Sequence, residues 1–371
     1  MIKAAINQVA TGRDLTESDM ETVMSEILEG KAFAAQVGAF VTALRMKGET
    51  IAEITGAAKA LRSRVVPLEV DNNLINLDRD DINVEEETIL TTSESAQSGT
   101  NTFNVSTATI FVVAGGGLKV VRQGNRAKSR YFGAADVLIN LGVNLDISRT
   151  DAERCIEEVG IGLLFAPLFH GIMRYVDHIR EEMGIRTIFN LIGPLANPAN
   201  ASAHVLGVYK SSLTEKMAGV LKNLGAKQAF VVHGERTYDE ISICGPTHVS
   251  FFKNGDIASF QLEPEEYGFQ TYDLEALAGG DAQQNARIIH TILAGETGPR
   301  RDIVVLNAAA AFVAAGCDSD LKQGIERAEA SIDSGAARDK LAALVRVTSE
   351  CNIFTRSIGR GYDQKSEIHP S

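Results

Sequence analysis

No stretch of this chain approaches the roughly 18 consecutive apolar residues that a membrane-spanning helix needs. Its opening, MIKAAINQVATGRDLTESD, has no long apolar core of the kind that directs secretion. Together these absences predict a cytoplasmic protein with no membrane partner. Cysteine is scarce: Cys155, Cys244, Cys317 and Cys351 stand far apart with no CxxC pair. That excludes the common zinc clip and dithiol redox motif, and all four read as buried free thiols. Positive charge is in deficit, with 36 Lys and Arg against 48 Asp and Glu and a net charge of -12. Such a balance opposes general attraction to nucleic acid, although a local basic groove is compatible with it. Apolar residues are not lacking: they make up 44% of 371 residues, with 23% charged. The chain is an ordinary folding sequence, long enough for one large domain with a smaller one appended.

Residues 1 to about 68 read as helices. Thr16 and Ser18 are candidate caps before DMETVMSEILEG, Val37, Phe40, Val41 and Leu44 form an apolar face at helical spacing, and Gly48 with Thr50 closes one helix and opens the next. The acidic segment VDNNLINLDRDDINVEEE, residues 70 to 87, is unpatterned and reads as a linker or hinge. Beyond it, strand-like runs at 118–121 (LKVV), 229–233 (AFVVH) and 249–252 (VSFF) alternate with helical GAADVLINLG, SLTEKMAGVLKNLG and RRDIVVLNAAAAFVAAG. That alternation argues for an α/β layered domain. The tail, RSIGRGYDQKSEIHPS, reads as loosely ordered.

Four groups of residues carry chemistry. In TFNVSTATIFVVAGGGLKVV, the polar residues Asn104, Ser106 and Thr107 open an apolar helix, where free N–H groups and hydroxyls suit an anion; simple N-capping is the plainer reading. The GGG that follows, residues 115–117, fits a helix-to-strand turn rather than a phosphate loop. The loop RQGNRAKSRYFGAAD gathers Arg122, Asn125, Arg126, Lys128 and Arg130, which suits a phosphate or carboxylate as well as a solvated basic loop. In HGERTYDEIS, the neighbours Asp239 and Glu240 make a seat for Mg²⁺, which takes few protein carboxylates and shares substrate phosphates. Lastly, FAPLFHGIMRYVDHIREEMGIRTIFNLIGPLANP places His170, Arg174 and Arg180 in a helical stretch before a rigid GPLANP turn.

The order TFNVST, GNR, GAADVLINLGV, LLFAPLFH, GIRTIFNLIGPLANP, GERTYDEIS and GDAQQNARIIHTILAGETGPRRDIVVLNAAAAF, with FVTALRMKGETIAEI upstream, resembles the anthranilate phosphoribosyltransferase family over roughly residues 1 to 348. The resemblance implies an α/β fold of the nucleoside phosphorylase and phosphoribosyltransferase type: a small N-terminal helical domain beside a large α/β domain with a central mixed sheet. It divides the chain into residues 1–68, joined by a helical excursion near 168–185, and residues 69–371. It further implies a homodimer joined through the helical domains, and transfer of ribose 5-phosphate from phosphoribosyl pyrophosphate (PRPP) to the amino group of anthranilate, in tryptophan biosynthesis, with Mg²⁺ on the diphosphate. Carried over by position, Asn125, His170, Arg180 and Pro194 face the acceptor. Asn104, Ser106 and Thr107 face the donor, and Asp239 and Glu240 hold the metal; Arg122 and Arg130, which depart from the family's pattern, are expected to grip the donor phosphates by side chain.

One motif departs. Where the family reads GTGGD, a gapless alignment back from Thr102 places Glu94, Ser95, Ala96, Gln97 and Ser98. Side chains there crowd the approach of backbone amides to a diphosphate, and Glu94 adds like charge. Arg122 and Gln123 replace the usual lysine and histidine before GNR, and KSRYFGA follows it in place of a small serine-rich segment. The residues alone therefore leave two alternatives open: a relative using another aromatic acceptor or donor, and a non-catalytic protein binding a ligand, nucleic acid included, in a local basic groove.

Overall fold

The computed structural model describes residues 1–68, 73–76, 83–86, 89–94, 102–124, 133–165, 173–199 and 201–351. The first of these stretches is helical: α1 (Ile2–Ala10), α2 (Glu17–Leu28), α3 (Ala34–Lys47) and α4 (Ile51–Arg62). Thr16 caps α2 by accepting the Asp19 N–H at 3.1 Å, whereas Ser18 lies inside the helix and is no cap. At the α3–α4 turn, Thr50 and Glu53 cap each other reciprocally, the Thr50 N–H donating to Glu53 Oε2 at 2.8 Å and the Glu53 N–H to Thr50 Oγ1 at 3.2 Å. Glu53 is fully buried and also accepts from the Leu15 N–H and from Lys47 Nζ, each at 2.9 Å. A buried carboxylate is tolerable only when saturated in this way.

The segment expected to be a linker instead contains a two-stranded antiparallel ribbon, β1 (Asn73–Asn76) with β2 (Asn83–Glu86). Its strands are four residues each, too short for an alternating apolar pattern to emerge from the acidic background.

The α/β part is built on a seven-stranded sheet in the order β5-β4-β3-β6-β7-β8-β9. The strands are β3 (Ile89–Glu94), β4 (Lys119–Gly124), β5 (Ile161–Phe165), β6 (Ala203–Gly207), β7 (Gln228–Gly234), β8 (Thr247–Lys253) and β9 (Asp256–Leu262). Five of them, β3 to β7, run parallel, and β8 and β9 are antiparallel additions at one edge. The three strand-like runs of the sequence fall on β4, β7 and β8. The three helical ones fall on α6 (Ala134–Asn140), α10 (Thr214–Asn223) and α12 (Pro299–Ala314). Between them lie α5 (Val105–Gly115), α7 (Arg149–Val159), α8 (Arg174–Met183), α9 (Ile188–Ile192) and α11 (Ala282–Leu293), and α13 (Leu321–Asp333) and α14 (Ala336–Glu350) follow. The GGG run ends α5 and turns into β4, as expected.

Strand alternation splits the core in two. Leu206 of β6 with Ala229 and Val231 of β7 face the N-terminal helices, in a cluster that also takes Met173, Val176 and Ile179 from the α8 segment. Val205, Phe230 and Val232 face the other way, onto α5 and α12. Helix α5 is buried over almost its whole length, from Val105 to Ala114, and α12 over Ile303 to Ala314, which is why neither shows an amphipathic stripe. Cys155, Cys244 and Cys351 are buried free thiols as expected. Cys317 is a correction: it is exposed, in the surface turn between α12 and α13.

Candidate active site at the sheet switch point

In a parallel sheet the chain leaves every strand on the same side, and the crevice lies where successive connections diverge. Here β3 is followed outward by β4 and β5, while β6 and β7 extend in the opposite direction, so the switch point falls between β3 and β6. The sequence-predicted residues collect beyond the carboxyl ends of these strands. Asn104, Ser106 and Thr107 follow β3, Arg122 sits near the end of β4, and Asp239 and Glu240 follow β7. Asn125, Arg126, Lys128, Arg130 and His170, together with positions 95–98 and the tail, lie outside the described residues.

At the start of α5 the N-cap reading needs correction. Asn104 occupies the cap position but gives no side-chain cap bond; its Oδ1 instead accepts from Asn285 Nδ2 of α11 at 3.0 Å. The entry to the helix is pinned by the Phe103 N–H donating to the Leu277 carbonyl at 3.0 Å, and Asn285 Oδ1 holds the Gly280 N–H at 2.8 Å. Thr107 is fully buried, and its Oγ1 has no hydrogen-bond partner among the described residues. A hydroxyl left so in the first turn of an 11-residue helix, at the positive end of its dipole, suits an anionic ligand.

The Asp239–Glu240 loop is held with unusual tightness. Gly234 and Tyr238 exchange main-chain hydrogen bonds of 2.8 and 2.9 Å, and Asn307 of α12 clamps both main-chain groups of Ile241, accepting its N–H at 3.0 Å and donating to its carbonyl at 2.9 Å. Arg236 and Tyr238 both carry φ of 63°. Two non-glycine residues in the left-handed region cost energy that these bonds offset. Gly207, the last residue of β6, explains the loop's position: a Cβ there would lie 1.8 Å from the Asp239 carbonyl oxygen. Only glycine lets the acidic loop rest directly on the strand end. Asp239 and Glu240 are thereby 7% and 8% exposed. Two adjacent buried carboxylates, with oxygen donors only, fit a hard divalent cation completed by ligand phosphates. Among the described residues no larger cluster of metal-ligating side chains occurs.

On the helical side, Arg180 lies in α8, half-buried, donating to Asp177 Oδ1 at 3.3 Å with its guanidinium 5.9 Å from the centre of the Phe189 ring. Pro194 stands in a short 3₁₀ turn, Gly193–Leu195. Arg62, at the end of α4, holds that turn by donating from Nε to the Leu195 carbonyl at 2.6 Å and from a terminal nitrogen to the Leu224 carbonyl at 3.1 Å. Asn285, Asn307, Gly207 and Arg62 escaped the sequence reading. The one local signal was an amide inside an apolar helix, as in VLNAAAA, since a buried amide needs partners elsewhere.

A bundle of helices beside a mixed α/β sheet, with an anion-suited helix start and an acidic loop at its switch point, defines an enzyme that transfers a glycosyl group. Residues 3–65 match the glycosyl transferase family helical bundle domain and residues 97–338 the glycosyl transferase family a/b domain. The chain is 52% identical over 350 residues to the anthranilate phosphoribosyltransferase of Geotalea uraniireducens, covering 94% of this chain and all of the relative. It is 50% identical to that of Geobacter sulfurreducens over the same shares of both chains. Among solved structures, anthranilate phosphoribosyltransferase from Thermus thermophilus superposes with a TM-score of 0.83 at 36% identity, over 93% of this chain and 99% of that one. The Saccharomyces cerevisiae enzyme in complex with PRPP and Mg superposes with a TM-score of 0.80 at 28% identity, over 94% and 98%. The chain belongs to the anthranilate phosphoribosyltransferase family. Among its described residues no helix is long and apolar enough to cross a membrane.

Proposed function

We propose that this chain joins anthranilate to the ribose 5-phosphate of PRPP, breaking the bond from the anomeric carbon to diphosphate and forming one to the anthranilate nitrogen. The observation that carries the reading is the convergence of the α5 start and the Asp239–Glu240 loop at the switch point, with Asp239 resting on Gly207. In this reading Asn104, Ser106, Thr107 and the first amides of α5 take the donor phosphates, helped by Arg122 and Arg130. Asp239 and Glu240 seat Mg²⁺, whose role when bound is to neutralise charge on the departing diphosphate. Arg180 pairs with the acceptor carboxylate, Asn125 orients its amine, His170 lines the same side, and Pro194 walls the acceptor path. Holding nitrogen and anomeric carbon together accounts for more of the rate than proton transfer does, because the leaving group needs no general acid beyond its counter-charges. The partition into residues 1–68 and 69–371, the phosphorylase-type fold, cytoplasmic location and a homodimer through the helical domain belong to the same proposal.

The test is loss of anthranilate fluorescence with PRPP and Mg²⁺, run on the natural chain and on one in which Glu94–Ser98 is replaced by GTGGD. Turnover by both, with KM for PRPP lowered by the replacement, is the expected result. No turnover by either chain sinks the proposal.

A further inference from the structure

The polar side chains at the start of α5 differ in one respect that decides how they meet an anion. Ser106 and Thr107 carry hydroxyls, which turn to donate or accept as a ligand requires. The Asn104 amide has a donating end and an accepting end and can offer only one of them to a given partner. Which end it offers is set from α11, by a residue 181 positions away.

Asn285 stands in the first turn of α11, 4% exposed. That turn is held by a capping box, in which the Asp281 carboxylate accepts the Gln284 N–H at 2.7 Å and the Asp281 N–H donates to Gln284 Oε1 at 3.1 Å. The loop before it lies along the entry to α5. Thr102 pairs with Ala278 in an antiparallel bridge, and a Cβ on Gly279 would come within 2.9 Å of the Phe103 nitrogen and 2.7 Å of Asn285 Oδ1. The missing side chain at 279 thus lets the loop, the α5 entry and the Asn285 amide meet.

A main-chain hydrogen fixes the polarity of this whole series of contacts. The Gly280 N–H can only donate, so the Asn285 atom that it meets at 2.8 Å is the oxygen. The other end of that amide is Nδ2, which can only donate, so the Asn104 atom facing it at 3.0 Å is again the oxygen. A reversed Asn104 would set two N–H donors against each other with no acceptor between them. Its Nδ2 group is therefore the end left over for a ligand, and it makes no hydrogen bond among the described residues.

Building on the reading that Asn104 meets a donor phosphate, we propose that Asn285 is a positioning residue for the phosphorylated donor. It acts through Asn104, holding that amide with its donating end towards the donor phosphates. With the amide reversed, a carbonyl oxygen would face the phosphate oxygens, and a charge-assisted hydrogen bond would give way to repulsion between like partial charges.

Asn285→Asp puts this to the test, because it keeps the acceptor for Gly280 and replaces the donor with a second oxygen. Asn104 then turns Nδ2 towards α11 and its carbonyl oxygen towards the ligand. PRPP binding with Mg²⁺ is measured by calorimetry, and turnover by loss of anthranilate fluorescence, in the natural chain, Asn285→Asp, Asn104→Ala and the double variant. Asn285→Asp is expected to raise Kd and KM for PRPP at least about tenfold, the scale of one charge-assisted hydrogen bond, with kcat and the melting temperature little changed. In the Asn104→Ala background the same substitution is expected to change either constant less than about threefold, because the group through which it acts is gone. An added negative charge or a disturbed α11 would weaken PRPP binding equally in both backgrounds. Equal effects in both, or an unchanged Kd in Asn285→Asp, overturn the proposal while the donor role of Asn104 stands. An unchanged Kd in Asn104→Ala removes that role and the proposal with it. Should Asn285→Asp fail to fold, Asn285→Ala repeats the cycle without added charge: Kd is expected to rise at least about threefold in the natural background and to stay put in Asn104→Ala, and equal rises in both overturn the proposal.

Discussion

His204 gives the most quantitative expectation. It lies on β6, 3% exposed, with Nε2 lacking a hydrogen-bond partner among the described residues. Burial drives its pKa from 6.5 down to about 3, the Arg62 guanidinium pushes the same way, and a hydrogen bond with the Ala201 main chain opposes them. The folded protein thus keeps this imidazole neutral where the unfolded chain protonates it. Because the folded pKa is the lower one, its contribution to stability is complete above pH 6.5 and is lost progressively as pH falls towards 3. Each pH unit in that window costs about 1.4 kcal/mol, so the loss reaches about 2 kcal/mol by pH 5. Replacing His204 with glutamine removes the titration. Urea denaturation at intervals from pH 8 to pH 5 is expected to show the natural chain losing about 2 kcal/mol relative to His204→Gln, all of it below pH 6.5. Two stability curves that stay parallel across that range would refute the reasoning. Arg62 also holds the Leu195 carbonyl, so the charged imidazole beside it is expected to loosen the GPL turn before the fold as a whole gives way.

Other substitutions test the site and its supports. Arg180→Ala is expected to lower kcat/KM for anthranilate about 10- to 100-fold, the scale of a hydrogen bond to a charged group, with KM for PRPP little changed in steady-state assays. Asp239→Asn is expected to weaken the dependence of rate on Mg²⁺ and cut turnover by about 100-fold or more, read from a Mg²⁺ titration at saturating substrates. Gly207→Ala drives a methyl into the Asp239 carbonyl, so a loss of about 1–3 kcal/mol in chemical denaturation is expected together with loss of activity. Glu53→Ala strips the acceptor from the Leu15 and Thr50 N–H groups and leaves Lys47 with Asp14; a loss of about 3 kcal/mol or more is expected by the same denaturation measurement.

What the sequence disclosed was whatever is local. AFVVH reads as a strand because an apolar β-branched run between turn signals has few other uses, and Thr50 reads as a helix start because Gly48 closes the helix before it. Asp239 and Glu240 were visible as a pair, and their position after a strand followed from the alternation of elements. The pieces that stayed hidden depend on contacts across the chain. Asn104 is separated by 181 residues from Asn285, the partner that takes its side chain away from the cap. Gly207 looks like any strand-end glycine until Asp239 is known to rest upon it. The β1–β2 ribbon was lost because two four-residue strands in an acidic segment carry no period long enough to register.

The altered donor segment acquires its meaning from the same geometry. In the register of the sheet, Glu94 pairs with Gly207, so the first position of the family's GTGGD stands beside the strand end on which the acidic loop rests. A glycine-rich turn in that place would bring backbone amides to the diphosphate close to the metal seat, its N–H groups opposing the two carboxylates. A glutamate at the same register position puts a negatively charged residue type where the family's turn offers amides. The consequence falls on the donor: loss of the backbone cradle weakens the hold on diphosphate. The natural chain should therefore depend on PRPP at higher concentration than its GTGGD variant. A lowered apparent constant for PRPP at an unchanged melting temperature distinguishes the effect of this segment from a general change in folding, which would move both.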